Sequence, residues 1–158
     1  MNIELRRAVL GDAPVLSELI VRSKRSNGYD DEFMRACKDD LAITPTHMAR
    51  GQYWVAQNET ELCGCICLVV DKSSTTADVE AGFVEPRYKR QGVGRMLWER
   101  LCEVAVSEGV ATLRLDADPA AVPFYKSPGM QIVGYAASGS IKGRMLPRME
   151  VSLLSPDC

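Results

Sequence analysis

The sequence predicts a single α/β domain over residues 1–158, with a mixed, mostly antiparallel central sheet flanked by helices. Three observations predict this fold. Strand and helix patterns follow one another in the order β-α-α-β-β-β-α-β-α-β-β. A short turn joins the strands predicted at 52–57 and 62–70 as a hairpin, whereas a helix connects two later strands, which favours one parallel crossover. The length is that of one domain with a complete core.

The first quarter of the chain predicts a strand followed by helices. Residues 3–8 read as a strand. A helix is predicted to begin after Asp12, which is a favourable N-cap, and Pro14 is compatible with its first turn. Residues 26–28 end this helix. Its predicted apolar stripe consists of Val15, Leu16, Leu19 and Ile20. A second helix covers 30–41, and a short helical turn begins near Thr44.

The second half contains the predicted crossover. A strand over 79–84 leads through a glycine-punctuated turn into a helix over 92–108, which Gly109 ends. Strands follow at 111–116, 130–135 and 148–154, with a short helix at 120–126.

Composition argues against several classes of protein. The formal net charge is −2, so no general basic surface for nucleic acid or for an anionic membrane is expected. No apolar run approaches the roughly 20 residues that span a bilayer, and the N-terminus does not resemble a signal peptide. The expected location is therefore the cytoplasm.

Six cysteines could suggest disulfides, but their placement favours another interpretation. Cys63, Cys65 and Cys67 alternate along a strand, so they are expected to share one face as small buried residues of a reduced protein. Because His47 is the single histidine, no metal site is predicted.

The most informative segment is 88–97, where a basic turn containing Gly92 and Gly94 precedes an amphipathic helix. Free N–H groups and the positive end of the helix dipole at such a turn form a site for a di- or polyphosphate. Positive charge is supplied by Lys89, Arg90 and Arg95. P-loop and dinucleotide motifs do not fit, because Gly94 is followed by Arg-Met and by no third glycine. The alternative is a turn that only closes a strand-to-helix junction.

This turn resembles the Arg/Gln-x-x-Gly-x-Gly/Ala signature of the GCN5-related N-acetyltransferases, the GNAT superfamily, with Lys89 at the first position. In that family the turn holds the pyrophosphate of acetyl-CoA, so the resemblance implies acetyl-CoA as cosubstrate. The implied contacts are Lys89, Arg90, Gln91, Gly92, Val93, Gly94 and Arg95, together with Phe83 and Val84, which would align the pantetheine arm. The predicted order of elements is also that of the family.

A second block, 116–130, is similar to the family pattern Asn-x-x-Ala-x-x-Phe-Tyr-x-x-x-Gly-Phe. Phe124 and Tyr125 match in register, whereas Asp118 replaces the usual Asn and Met130 replaces an aromatic residue. The resemblance implies that Asp118 and Phe124 lie at the cofactor.

Acetyl transfer to an amine needs a deprotonated amine, fixed donors for the developing oxyanion and an acid for the departing thiolate. The resemblance implies that Tyr125 is this acid and that the backbone N–H groups of Phe83 and Val84 are the donors. The alternative for Tyr125 is an aromatic ring that packs on the sheet.

Two carboxylates are candidates for the base. Asp78 and Glu80 lie two residues apart on a strand, so both are expected to project from one face. The resemblance places Asp78 nearest the catalytic Glu of some relatives and Glu80 at a position that others use through water. Each is alternatively a solvated residue or an attractor for a cationic amine, and water alone serves many relatives.

The acceptor is the least determined part. The resemblance implies a cleft shaped by residues 26–31 and by the loop at 138–147. Acidic residues at 30–32 suit a cationic amine or simply cap a helix, and His47 either shuttles a proton or is structural. Polyamines, amino acids, aminoglycoside-like compounds and protein N-termini all remain open; the small chain favours a small-molecule amine. Dimers are common in the family, so a homodimer is also open.

The leading hypothesis is an acetyl-CoA-dependent N-acetyltransferase that transfers the acetyl group directly. No cysteine is predicted at a helix N-terminus, where a thiol would be activated as an acyl carrier. Two alternatives are a non-catalytic acyl-CoA sensor and an acyltransferase for longer acyl-CoA thioesters.

Overall fold

A computed structural model describes residues 2–153, in which seven strands and five α-helices occur. The strands are β1 (Ile3–Arg7), β2 (Gln52–Asn58), β3 (Glu61–Val70), β4 (Thr76–Val84), β5 (Thr112–Asp116), β6 (Gln131–Ala137) and β7 (Met145–Ser152). The helices are α1 (Ala13–Arg25), α2 (Asp31–Leu41), α3 (Pro45–Arg50), α4 (Val93–Ser107) and α5 (Val122–Lys126). The predicted elements are all present, although Leu154 of the last predicted strand and Cys158 lie outside the described residues.

The seven strands form one sheet in the order β1-β2-β3-β4-β5-β7-β6. Neighbours are antiparallel except β4 and β5, which are parallel and connected by α4. The predicted mixed, mostly antiparallel sheet is therefore confirmed. None of the described helices is long and apolar enough to cross a bilayer.

The two parallel strands separate soon after they begin. They pair only from Thr76 opposite Thr112 to Asp78 opposite Arg114, whereas β4 continues to Val84. The edge of β4 that faces β5 is thus left without a strand partner beyond Asp78. This divergence opens the sheet at its centre.

Two hydrophobic clusters hold helices on opposite faces of the sheet. α4 buries Val93, Leu97, Trp98, Leu101 and Ala105 in one cluster, and α1 buries Ala13, Leu16, Leu19 and Ile20 in the other. The prediction for Val15 is wrong, because the buried line of α1 runs through residues 13, 16, 20 and 24 and leaves Val15 half exposed at its border.

The prediction that three cysteines share one face is also wrong. Cys65 and Cys67 pack with the α1 cluster, but Cys63 packs with the α4 cluster. The cause is a bulge: Ala56 lies opposite Gly64 and Gln57 opposite Leu62, so Cys63 is an extra residue that reverses the alternation. Burial raises the pKa of the Cys65 and Cys67 thiols to about 12, which opposes their use as nucleophiles at neutral pH.

Candidate active site

The turn before α4 presents a run of unpaired backbone donors. Gly92 is the N-cap of α4 with φ of 84°, a left-handed conformation that glycine adopts without strain, and Arg90 has φ of 65°. Among the residues that the structure describes, no acceptor receives the N–H groups of residues 90–95. Six consecutive donors and the positive end of a 15-residue helix therefore meet at one place.

Side chains around this turn hold it in position. Glu85 is buried and accepts from both Nε and Nη2 of Arg22 on α1, the latter at 2.6 Å. Lys89 donates to Ser26 Oγ at 2.6 Å, and the Gln91 amide donates to the Arg87 carbonyl oxygen at 3.0 Å. Of the predicted phosphate ligands, Lys89 and Gln91 thus have side-chain partners within the protein.

Arg90 and Arg95 are different, because neither forms an ion pair with another described residue, and both line the adjacent cavity. We expect Arg90→Gln and Arg95→Gln each to weaken coenzyme A binding about ten-fold, since a hydrogen bond to a charged group contributes about 1.5–3 kcal/mol. Calorimetry at low and high salt measures this, and the difference should shrink as salt screens the charges. Lys72→Gln, an exposed cation in the β3–β4 turn, is the control; equal losses in all three variants would contradict a local role.

A cavity of about 1300 Å³ extends from this turn along β4 into the gap between β4 and β5. Its wall includes the predicted residues Asp78, Glu80, Phe83, Val84, Lys89, Arg90, Gly92, Val93, Gly94, Arg95, Asp118, Phe124 and Tyr125. The structure therefore brings together every predicted site residue except Gln91, whose side chain is turned to the Arg87 carbonyl oxygen.

A bulge in β4 creates a niche for Tyr125. Cys65 lies opposite Phe83 and Cys67 opposite Glu80, so Ile66 faces two residues, Ala81 and Gly82. Ala81 has φ of 51°, and non-glycine residues in this region cluster at functional sites. The Tyr125 ring is buried and edge-on to Trp98, and its hydroxyl contacts the place that a Cβ at residue 82 would occupy.

This contact gives a direct test of Gly82. We expect Gly82→Ala to lower turnover at least ten-fold while coenzyme A affinity changes little, because the new methyl group would displace the Tyr125 hydroxyl and leave the turn before α4 intact. Steady-state kinetics with calorimetry separate the two effects. Gly134→Ala on β6, where a Cβ meets no atom within 4 Å, is the matched control. Unchanged turnover in Gly82→Ala would contradict the niche.

The predicted carboxylates occupy different positions. Asp78 lies at the last β4–β5 pair and approaches Arg114 Nε at 3.4 Å. Glu80 lies beyond that pair, in the open part of the gap, and accepts from Arg50 Nη2 at 2.5 Å. Glu80 is thus the carboxylate nearer the centre of the opening.

Asp118 carries an extensive hydrogen-bond network. Its carboxylate accepts from Lys24 Nζ at 2.5 Å, from the Tyr29 hydroxyl at 2.8 Å and from the backbone N–H of Ala120 at 2.9 Å. Burial alone would raise the pKa of Asp118, but these donors hold it below its usual range. Asp118 therefore remains charged and fixes the start of the segment that carries Tyr125.

A second cavity of about 430 Å³ lies on the α1 side of the same gap. It shares four wall residues with the first: Glu80, Ala81, Phe83 and Asp116. Residues of α2, α3 and the β6–β7 loop complete it. His47 lines this cavity, and its Nδ1 accepts the Thr44 N–H at 3.1 Å in a helix cap, which agrees with the structural interpretation of this histidine. In the described part of the chain, no group of three or more His, Cys, Asp or Glu side chains is placed to hold a metal ion.

Sequence reasoning missed Lys24 and Arg50, and it placed Arg144 in the acceptor loop at 138–147 without singling it out; all three line the second cavity. One signal was available for Lys24. It follows Leu16 and Ile20 at intervals of four residues, so it continues the buried stripe of α1 and must find a buried partner.

Comparison with known proteins gives a matching family model and solved structures of the same fold. The Acetyltransferase (GNAT) family model matches residues 16–130. The PaiA N-acetyltransferase of Thermoplasma acidophilum, solved with coenzyme A, is 18% identical with a TM-score of 0.79, covering 96% of this chain and 99% of that one. The ribosomal-protein-S18-alanine N-acetyltransferase of Escherichia coli is 20% identical with a TM-score of 0.72, covering 96% and 94%.

YncA of Salmonella typhimurium, solved with acetyl-CoA, is 17% identical with a TM-score of 0.70, covering 98% and 96%. The search of curated proteins gives no match to this chain. Acetyl-CoA, the cosubstrate expected from the sequence, is the acetyl donor of the family that the model describes. The matched residues begin within α1 and include the bulged strand, the turn before α4 and Tyr125, and the chain belongs to the GNAT acetyltransferase family.

Proposed function

We propose that this protein transfers the acetyl group of acetyl-CoA directly to an amine of a small molecule. The observation that carries the proposal is the common wall of the two cavities. One cavity begins at six free backbone donors and reaches Tyr125, and the other opens on the opposite side of Glu80 and Ala81. A thioester and an amine bound in the two cavities would meet at the β4–β5 gap, where proximity itself accelerates the reaction.

The cofactor side fits a long thioester with a diphosphate. The N–H groups of residues 90–95, with Arg90 and Arg95, would bind the diphosphate, and the unpaired edge of β4 at Phe83 and Val84 would align the pantetheine arm as an added strand. Phe124 closes the cavity beside Gly94, where a Cβ would lie 3.0 Å from its ring.

The proton transfers fall to two residues. Tyr125 would protonate the departing thiolate; burial raises its pKa to about 12, so it keeps its proton at neutral pH. Glu80 would accept the amine proton, directly or through water, because it lies in the wall that both cavities share. Asp78, which approaches Arg114 instead, is not assigned a proton transfer.

Turnover with a panel of amines tests the proposal. Release of free thiol from acetyl-CoA should depend on the added amine, and mass spectrometry should find a product heavier by one acetyl group. Tight binding of coenzyme A without turnover on any amine would contradict it and favour a sensor. If a longer acyl-CoA competes better than acetyl-CoA, the transferred group would be a longer acyl group and not acetyl.

A further inference from the structure

A partly buried cluster with a surplus of positive charge lies at one part of the wall of the second cavity. Lys24 and Arg144 share the single carboxylate of Asp118, at 2.5 and 3.7 Å. Their side chains are 11% and 18% exposed, and that of Asp118 is 13% exposed. Two cations against one anion leave this cluster with a net charge of +1, and a largely buried unpaired charge is costly.

Aromatic rings fix the orientation of these cations. Tyr29 and Phe33 stack at 4.0 Å, and the Arg144 guanidinium lies 4.9 Å from the Phe33 centroid. Arg144 Nη2 donates to the Tyr29 hydroxyl at 2.7 Å, while that hydroxyl donates to Asp118. Within the described residues, Nε and Nη1 of Arg144 have no acceptor, and Arg144 lines the second cavity.

The surplus indicates which chemical group the cavity receives. A carboxylate is planar, carries one negative charge and pairs with a guanidinium through two parallel hydrogen bonds. One carboxylate would neutralise the net charge of +1 of the cluster and accept hydrogen bonds from one edge of the Arg144 guanidinium. The cavity volume of about 430 Å³ lies near the lower end of ligand pockets and suits a molecule of amino-acid size.

Other residues of the cavity wall suit an ammonium group. Asp39, Asp40 and Glu80 also line the cavity, and Asp39 forms no ion pair with any residue the structure describes. We propose, on the basis of the proposed function, that the acceptor is an amine that also carries a carboxylate, with Arg144 and Lys24 as the residues that select it.

Binding to the coenzyme A complex tests this without requiring turnover. Calorimetry would compare four amino acids with the amines that lack only the carboxylate: L-phenylalanine with phenethylamine, L-leucine with 3-methylbutylamine, L-lysine with 1,5-diaminopentane and L-arginine with agmatine. We expect at least one amino acid to bind ten-fold or more tighter than its amine. Equal binding, tighter binding of the amines or no binding of any amino acid would overturn the proposal.

Substitutions locate the effect. Arg144→Gln should remove most of the preference by weakening the amino acid and not its amine, and Arg144→Lys should restore part of it, because charge returns without the planar fork. Lys142→Gln, an exposed cation in the same loop that lines neither cavity, should leave the preference unchanged. Unaltered preference in Arg144→Gln, or equal weakening of both ligands, would overturn the assignment. Failure of the proposed function would be seen in a different measurement: the amine would bind, but no free thiol would be released from acetyl-CoA.

Discussion

Coenzyme A binding is expected to fall at least about 100-fold when Gly94 is replaced by Glu. The Cβ of the new side chain would lie 3.0 Å from the Phe124 ring. Its carboxylate would also occupy the place among the backbone N–H groups and arginines that is proposed for the diphosphate, and it would repel that anion. Gly92→Glu should act similarly, because it also forces a bulky residue into a left-handed conformation at φ of 84°. Calorimetry with coenzyme A measures both.

Gly11→Glu is the matched control for these variants. It adds the same charge at a glycine with φ in the ordinary range, where a Cβ meets no atom within 4 Å. Its affinity for coenzyme A should equal that of the unmodified protein. Unchanged affinity in Gly94→Glu, with a normal melting temperature, would refute the assignment of the phosphate turn.

Turnover is expected to fall about 100-fold or more in Tyr125→Phe, with coenzyme A affinity changed less than about two-fold. General acids contribute typically 10²–10⁴-fold, and this substitution removes the hydroxyl while the buried ring remains. Because the pKa of Tyr125 is raised to about 12, the acid keeps its proton up to about pH 10. The rate of the unmodified protein should therefore rise with pH as the amine loses its proton, without a decline caused by Tyr125 below that pH.

Tyr135→Phe, on the exposed face of the edge strand β6, is the control, and its kinetics should be unchanged. Single-turnover measurements separate chemistry from product release. Equal activity of Tyr125→Phe and the unmodified protein would remove the acid role and leave Tyr125 as a packing residue.

Local patterns in the sequence predicted the fold well, and the residues that they assign to the cofactor, except Gln91, line one cavity. The turn proposed to bind phosphate is a contiguous segment whose glycines, charges and following helix are visible without tertiary information. The hairpin and the single crossover also follow from neighbouring segments. Boundaries differed by a few residues, as at β7, which begins at Met145 and not at 148.

Features built by distant segments could not be read in this way. The Asp118 network joins α1, the α1–α2 connection, the end of β5 and the β6–β7 loop through Lys24, Tyr29 and Arg144. No single segment shows that these charges meet. The bulges at Cys63 and Ala81 likewise depend on pairing with neighbouring strands, and each reverses the alternation on which a strand prediction rests.

Calorimetry of the unmodified protein with coenzyme A and with pantetheine tests most directly whether the amides at the start of α4 bind a diphosphate. Pantetheine has the thiol arm but no diphosphate. Coenzyme A should bind in the micromolar range or tighter, and pantetheine at least about 100-fold more weakly, since it lacks the group that the amides and arginines hold. Equal affinities, or no heat with coenzyme A, would contradict the assignment.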